Sequence, residues 1–288
     1  MLKILCTICT FVINYTNLAL EKLVIIPTYN EKENIEAIIN TVFLLQQQYH
    51  ILIIDDGSPD GTANIVRSLI SKYPGQLFLE ERKGKSGLGT AYIHGFRWAL
   101  QRGYNFIFEM DADFSHNPSD LQRLHEACKN GAGVAVGSRY VKDGAVENWP
   151  ANRIVLSKGA SLYSRMITWM PVKDPTAGFV CYKKEVLEAI NLSAIHFVGY
   201  AFQIEMKFAA WKLGFTIKEV PITFKDRKLG DSKMNKGIIK EGVLGVLKLR
   251  WMSLFKNYRN NVKNTFTDNS LSFQQSEVAV LEGNNFIE

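Results

Sequence analysis

A chain of 288 residues, 47% hydrophobic and 22% charged, buries a sizeable core as one large domain or two small ones. The net charge of +6 is local: Lys225 to Arg259 holds ten Lys/Arg against three Asp/Glu, leaving 24 against 25 elsewhere, and no recognised nucleic-acid-binding module accompanies that basic stretch. Of the four cysteines only Cys6 and Cys9 are close, and one CxxC without a second pair or a nearby histidine argues against zinc and redox roles and for a reducing compartment.

Residues 4–20 carry no charge and follow Lys3, loosely like a signal peptide. The run is broken by Asn14, Thr16 and Asn17, lacks a small-residue cleavage site and is too polar to span a bilayer. Residues 1–20 therefore read as an extension, disordered or a wrongly assigned start, before a fold that begins at residue 21.

From residue 22 the pattern repeats. "KLVIIPTYN" reads as an apolar strand ended by Pro27, and "EKENIEAIINTVFLL" as a helix. "HILIIDDGSPDGTANIVRSLI" gives strand, acidic turn and helix. After "GQLFLEE" and a glycine-rich loop come the helix "TAYIHGFRWALQRG" and the strand "NFIFEM". Further on, "GAGVAVGSRY" reads as a strand, "NRIVLSKGASLYSRMI" as a helix, and "DPTAGFVCYKKEVLEAI" as turn, strand and helix. "YAFQIEMKFAAWKLG" is a helix ended by Gly214, and "FTIKEVPITFKDR" an extended segment bent around Pro221. Residues 236–259 form a basic amphipathic helix, and residues 260–288, rich in Asn, Ser, Gln and Thr, a flexible tail. Continuous apolar strands alternating with helices predict an α/β fold: a mostly parallel sheet covered on both faces in a single catalytic domain, residues 21–235. In such sheets ligands bind beyond the carboxyl ends of the strands, where "PTYNE", "DDGSPDG" and "DADFSH" fall.

"GKSGLG", residues 84–89, is not a nucleotide loop. A Walker loop needs glycine where Leu79 stands, and a dinucleotide fingerprint belongs in the first strand-to-helix turn. Asp111 and Asp113, one alanine apart in a turn, can both reach one divalent cation. A hard cation such as Mg²⁺ prefers few protein carboxylates plus phosphate oxygens, so this pair suits a metal bridging a diphosphate. Asp55 and Asp56 are placed to accept hydrogen bonds from a base or ribose.

The motifs "IIPTYNEKENI", "IIDDGSPDGT", "GLGTAYIHGF", "MDADFSH", "GSRY" and "EVPITFKDRKLGDSK", in this order, resemble the GT-A (Rossmann-like) glycosyltransferases of the large inverting family 2, and within them the dolichol-phosphate and polyprenol-phosphate mannose synthases. The likeness spans roughly residues 22–255. It implies that Pro27, Tyr29, Glu31, Ile54 and Asp56 hold the nucleotide, and that Asp111, Ala112 and Asp113 contact the sugar nucleotide and a Mg²⁺ or Mn²⁺ ion. Arg139 is the arginine of the GSRY motif, Arg227 and Lys233 the late basic pair, and Arg153 the arginine expected to hold the acceptor phosphate. Some archaeal members carry a glutamine ligand two residues past the second aspartate; here that position is Ser115. The implied reaction moves mannose from GDP-mannose to a dolichyl or undecaprenyl phosphate with inversion, Asp113, Arg139 and Arg153 taking part. A polyprenyl phosphate is already an anion near neutral pH, so no base is needed. The enzyme must hold the diphosphate, neutralise it and aim the nucleophile. Motifs fix the sugar-nucleotide mode better than the base, so a UDP-sugar-dependent transferase is the same-class alternative. A binding protein without activity is favoured only by a degraded DAD motif, and this one is intact. A lipid acceptor implies a peripheral protein on the cytoplasmic face of a membrane, and the basic helix at 236–259 fits an interfacial contact with anionic lipid.

Overall fold

The structure, a computed structural model, describes residues 21–199, 201–226 and 236–260, except for the side chains of residues 236–241 and 243. The N-terminal extension, the tail beyond residue 260, and Arg227 and Lys233 lie outside the described residues.

Seven strands form the main sheet: β1 (Lys22–Thr28), β2 (His50–Asp55), β3 (Leu77–Glu81), β4 (Phe106–Glu109), β5 (Val134–Ser138), β7 (Val180–Lys183) and β8 (Ile217–Pro221), in the order β3-β2-β1-β4-β7-β5-β8. β6 (Ala145–Glu147) and β9 (Thr223–Lys225) pair in parallel as a separate ribbon. The sheet is parallel as expected, apart from β7, which runs antiparallel to both β4 and β5. The helices are α1 (Ile35–Phe43), α2 (Thr62–Ile70), α3 (Leu88–Gln101), α4 (Asp120–Lys129), α5 (Ala151–Thr168), α6 (Lys184–Ala189), α7 (Ala201–Lys212) and α8 (Lys236–Met252).

Alternate residues of the apolar strands feed two cores. Leu23, Ile25, Leu52 and Ile54 pack with α3 and α7, while Val24, Ile26, Ile51 and Ile53 pack with α1, α2 and α4. Burial on both faces is why these strands read as continuous apolar runs. α3 comes very close to the sheet: a Cβ on Gly95 would stand 2.9 Å from Ile25 and Ile54, and one on Gly89 2.7 Å from the Phe202 ring. These glycines seat the helix that follows the glycine-rich loop.

The extended segment around Pro221 is two strands in different sheets, because Pro221 ends β8 and the chain turns into the ribbon. Gly214, at φ +87°, follows the end of α7 as expected. The basic helix stops at Met252, earlier than its apolar pattern indicated, and turns follow it. After β3 the chain returns through α3 to β4 on the far side of β1. The order of strands thus reverses between β1 and β4, the switch point beyond whose carboxyl ends sheets of this kind bind ligands.

Candidate active site

The turns after β1 and β2 are fastened to each other. Asn30, at φ 57°, donates its N–H to Ser58 Oγ (3.0 Å), Glu31 N–H bonds Thr62 Oγ1 (3.0 Å), and Lys32 N–H bonds Asp60 Oδ2 (3.0 Å). Burial pushes the Asp60 carboxyl up, but hydrogen bonds from Thr62 and Lys32 outweigh it and hold the group below its usual range. Asp55 is buried and accepts from Thr28 Oγ1 (2.8 Å), Ser58 N–H (2.8 Å) and Ser58 Oγ (2.6 Å). Both of its oxygens brace the turn, which corrects the expectation that it faces a base or ribose. Asp56 accepts from Arg82 Nε (2.6 Å), and Arg82 Nη1 reaches Thr90 Oγ1 (2.8 Å) at the start of α3. Lys85 Nζ lies 5.0 Å from the centre of the Tyr29 ring, so the glycine-rich loop borders this turn. Glu31 Oε2 accepts from Asn34 Nδ2 (3.1 Å), and Pro27 is half-buried at the strand end. Ile54 is fully buried in the core beneath α3, where its side chain seats Gly95.

The DAD turn follows β4. Ala112 and Asp113 are buried, Asp111 is half-exposed, and Phe114 takes φ +59°, the sharp reversal that ends the turn. Ser115 donates both its N–H (3.0 Å) and its hydroxyl (2.6 Å) to Asp113 Oδ1. The position that carries a ligand in some relatives of the motif thus holds the carboxylate in place. His116 Nδ1 faces Asp111, 3.9 Å from Oδ2, and the ring stacks on Phe179 (4.9 Å) with the edge of Phe224 at 5.3 Å. Burial pushes the His116 imidazole down to about 4, so it is neutral at pH 7. No group of three His, Cys, Asp or Glu gathers among the described residues. Two carboxylates in one turn fit a hard cation that completes its shell with ligand or water oxygens.

Behind the turn lie two buried titratable groups, Glu109 and Lys207, that the sequence did not announce. Burial pushes Glu109, at the end of β4, up to about 8 against the opposing charge of Lys207. Burial likewise lowers Lys207 to about 8, with Nζ donating to Ala177 O (2.7 Å), Gln203 O and Gln203 Oε1 (3.0 Å each).

Arg139 is buried in a fork with Asp174: its backbone N–H (3.0 Å) and Nε (2.7 Å) reach Oδ2, and Nη2 reaches Oδ1 (2.6 Å) and Thr176 Oγ1 (2.9 Å). Burial alone would raise the Asp174 carboxyl, yet the Arg139 bonds and charge hold it below the carboxylate range. The guanidinium expected at the substrate therefore anchors the turn that leads into β7. Arg153, in the first turn of α5, pairs through Nη1 with Asp226 Oδ1 (3.0 Å) and Oδ2 (3.1 Å) and stacks 3.9 Å from the Trp149 ring. Trp149 meets Phe224 of β9 edge-on at 5.2 Å. Lys225 N–H donates to Ser115 O (3.2 Å), tying the ribbon to the DAD turn. Arg153 and the DAD turn, 40 positions apart from Asp113, are thus joined through one short ribbon.

Sequence reasoning missed Arg82, His116, Trp149, Asp174 and Lys207. Only Asp174, in "DPTAG" before a strand, carried a local signal.

Residues 23–190 match the family described as glycosyl transferase family 2. A polyprenol monophosphomannose synthase of Mycolicibacterium smegmatis is 50% identical over 224 residues, covering 78% of this chain and 84% of that protein. An undecaprenyl-phosphate mannosyltransferase of Micrococcus luteus is 44% identical over 236 residues, covering 81% and 96%. Among solved structures, glucosyl-3-phosphoglycerate synthase from Mycobacterium tuberculosis, in complex with Mn²⁺, UDP and glucosyl-3-phosphoglycerate, aligns with TM-score 0.59 at 17% identity over 80% of this chain and 79% of that one, a likeness of fold.

Proposed function

The chain belongs to glycosyl transferase family 2, and from that premise we propose that it transfers mannose from GDP-mannose to a polyprenyl phosphate with inversion at the anomeric carbon. The two relatives named above, alike over most of their length, support this donor sugar and this acceptor class. The observation that carries the reading is the ribbon that ties Arg153 to the DAD turn at the strand ends.

Pro27, Tyr29, Glu31 and Asp56 hold the nucleotide between the first two turns. Asp111, Ala112 and Asp113 meet the sugar diphosphate, with Mg²⁺ or Mn²⁺ bound by the two carboxylates. When bound, the metal supplies positive charge to the diphosphate. Ser115 holds Asp113, and His116 supports Asp111 as a neutral ring, adding no charge of its own. Arg139 acts through Asp174 as a positioning residue for the turn before β7. Arg153 binds the acceptor phosphate, exchanging its Asp226 partner for the lipid anion. Because that anion is already deprotonated, the protein aims the oxygen and needs no base. Arg227 and Lys233 add cations where the leaving diphosphate gains charge. Residues 21–235 are the catalytic unit, and the protein works on the cytoplasmic face of a membrane.

The test is transfer of radiolabelled sugar to a short-chain polyprenyl phosphate across GDP-mannose, UDP-glucose and UDP-GlcNAc, with Mg²⁺, Mn²⁺ or excess chelator. Labelled lipid is expected from GDP-mannose, with metal only. Transfer solely from a UDP-sugar, or full turnover in chelator, overturns the reading.

A further inference from the structure

Helix α3 opens without a side-chain cap. Its N-cap is Gly87, at φ +98°, so the unpaired N–H groups that begin any helix need a partner from elsewhere. Gly89 N–H finds one in Val198 O (2.8 Å), in the segment that leads into α7. The two backbones meet so closely that a Cβ on Gly87 would stand 3.0 Å from Val198 O, and one on Gly89 2.9 Å from Phe197 O.

Residues 196–198 are held in turn by Glu205. This carboxylate is fully buried on α7; Oε2 accepts the N–H groups of His196 (2.8 Å) and Phe197 (2.9 Å), and Oε1 accepts from Lys256 Nζ (2.7 Å). A buried carboxylate is costly unless donors and an opposite charge answer it, and here three donors do, one of them a cation. Phe197 also rests on α8, where a Cβ on Gly245 would stand 3.3 Å from its ring. Lys256 is kept in place by the strap that follows α8: Asn191 N–H donates to Tyr258 O, and Asn260 N–H to Ala189 O, at 2.8 Å each.

What leans on this strut is the nucleotide end of the strand-end turns. In the first turn of α3, Thr90 Oγ1 donates to Gly87 O (2.7 Å) and accepts from Arg82 Nη1, whose Nε is bonded to Asp56. Lys85, in the loop between Arg82 and α3, lies over the Tyr29 ring. Arg153 and the DAD turn are joined by the β9 ribbon instead, on a separate set of bonds.

We infer that Glu205, its charge balanced by Lys256, is a positioning residue for nucleotide binding: it holds residues 196–198 so that Val198 O caps α3 and sets the glycine-rich loop against Asp56 and Tyr29. This deepens the mannose-transfer reading and rests on it for where the nucleotide lies. It also gives Lys256, which follows the catalytic unit in sequence, a part in supporting the donor.

The experiment uses the full chain with Glu205→Gln, which puts a donor where only acceptors fit, with Lys256→Met, and with both changes together. Calorimetry with GDP and with UDP, in Mg²⁺, measures nucleotide binding apart from catalysis. Mannose transfer to a short-chain polyprenyl phosphate gives kcat and the KM of each substrate, hydrogen exchange follows residues 83–92, and denaturant unfolding follows global stability. In Glu205→Gln, GDP affinity should fall and the GDP-mannose KM rise at least about tenfold, with faster exchange at residues 83–92 and an unchanged acceptor KM. Lys256→Met should shift the same quantities less, and the double variant should lose less than the two single losses combined, because the groups act as one pair. If Glu205→Gln does not fold, Lys256→Met decides by the same split between donor and acceptor. Nucleotide affinity unchanged in the folded variants overturns the inference, and so do donor and acceptor KM values that rise together with a loss of global stability, the mark of a merely structural role. If wild type binds UDP but not GDP and the variants weaken UDP, the positioning role stands and the GDP-mannose reading fails. A wild type that binds neither nucleotide overturns both.

Discussion

The turns beyond β1, β2 and β4 are polar groups closed upon one another, whereas the α5–α8 face turns apolar side chains outward and keeps serine and threonine within. In the first region almost every candidate site residue also has a structural part. Asp55 braces its own turn, Asp113 is clasped by Ser115, and Arg139 is locked to Asp174. In the second region the exposed residues hold little of the fold together. Substitutions should therefore damage stability and turnover together at the strand ends, and separate the two on the helical face.

The largest break in that contrast should come from Asp113→Ala. Transfer is expected to fall roughly 10⁴-fold, the several kcal/mol that a metal contributes, with circular dichroism still native; a folded variant that turns over normally would refute the metal assignment. Next is Asp174→Asn, which strips the charge partner from the buried Arg139 guanidinium. Denaturant unfolding should show a loss of about 3–5 kcal/mol, and a loss below 1 kcal/mol would mean that the fork is dispensable.

His116 sharpens the comparison through pH. Its folded value, about 4, is below the ordinary 6.5 because the ring is buried, so the unfolded chain takes up its proton first. The stability it contributes is complete above pH 6.5 and lost as pH falls towards 4, by about 3 kcal/mol. His116→Gln should flatten that part of the wild-type stability curve; parallel curves for the two proteins would count against it. The smallest effect on the fold belongs to Arg153→Ala, whose part-exposed pair with Asp226 is worth under about 1 kcal/mol. The acceptor KM should nevertheless rise at least about tenfold, with GDP-mannose affinity unchanged by calorimetry. A collapse of donor affinity would move Arg153 to the other side of the site.

Much of this was legible beforehand because it is local. Apolar runs, helical spacing and Gly214 each act within a few residues, and together they placed three acidic or polar turns at neighbouring strand ends. α4 was legible too, since Leu121, Leu124 and Cys128 recur at helical spacing after Pro118. The direction of β7 was not, because "FVCY" is equally apolar in either orientation once both faces are covered. The Arg139–Asp174 fork depends on that direction, as it brings the turn before β7 to the strand ends. The inward face of α5 was hidden for a related reason: periodicity identifies a stripe but not the medium it meets. Arg227 and Lys233 lie outside the described residues.

The placement of β7 also governs how the chain is made. β4 is flanked by β1 and β7, and the residues of β7 leave the ribosome about 70 positions after Glu109, a lag of roughly 4–14 s at ordinary rates of synthesis. During that interval β1, β2, β3 and β4 can already pair, leaving Phe106–Glu109 as an open, apolar edge, the kind of surface on which nascent chains stick to one another. The strand that arrives late and reversed is thus the cap on an aggregation hazard, and synthesis halted before Val180 would release a half-sheet that chaperones must shield.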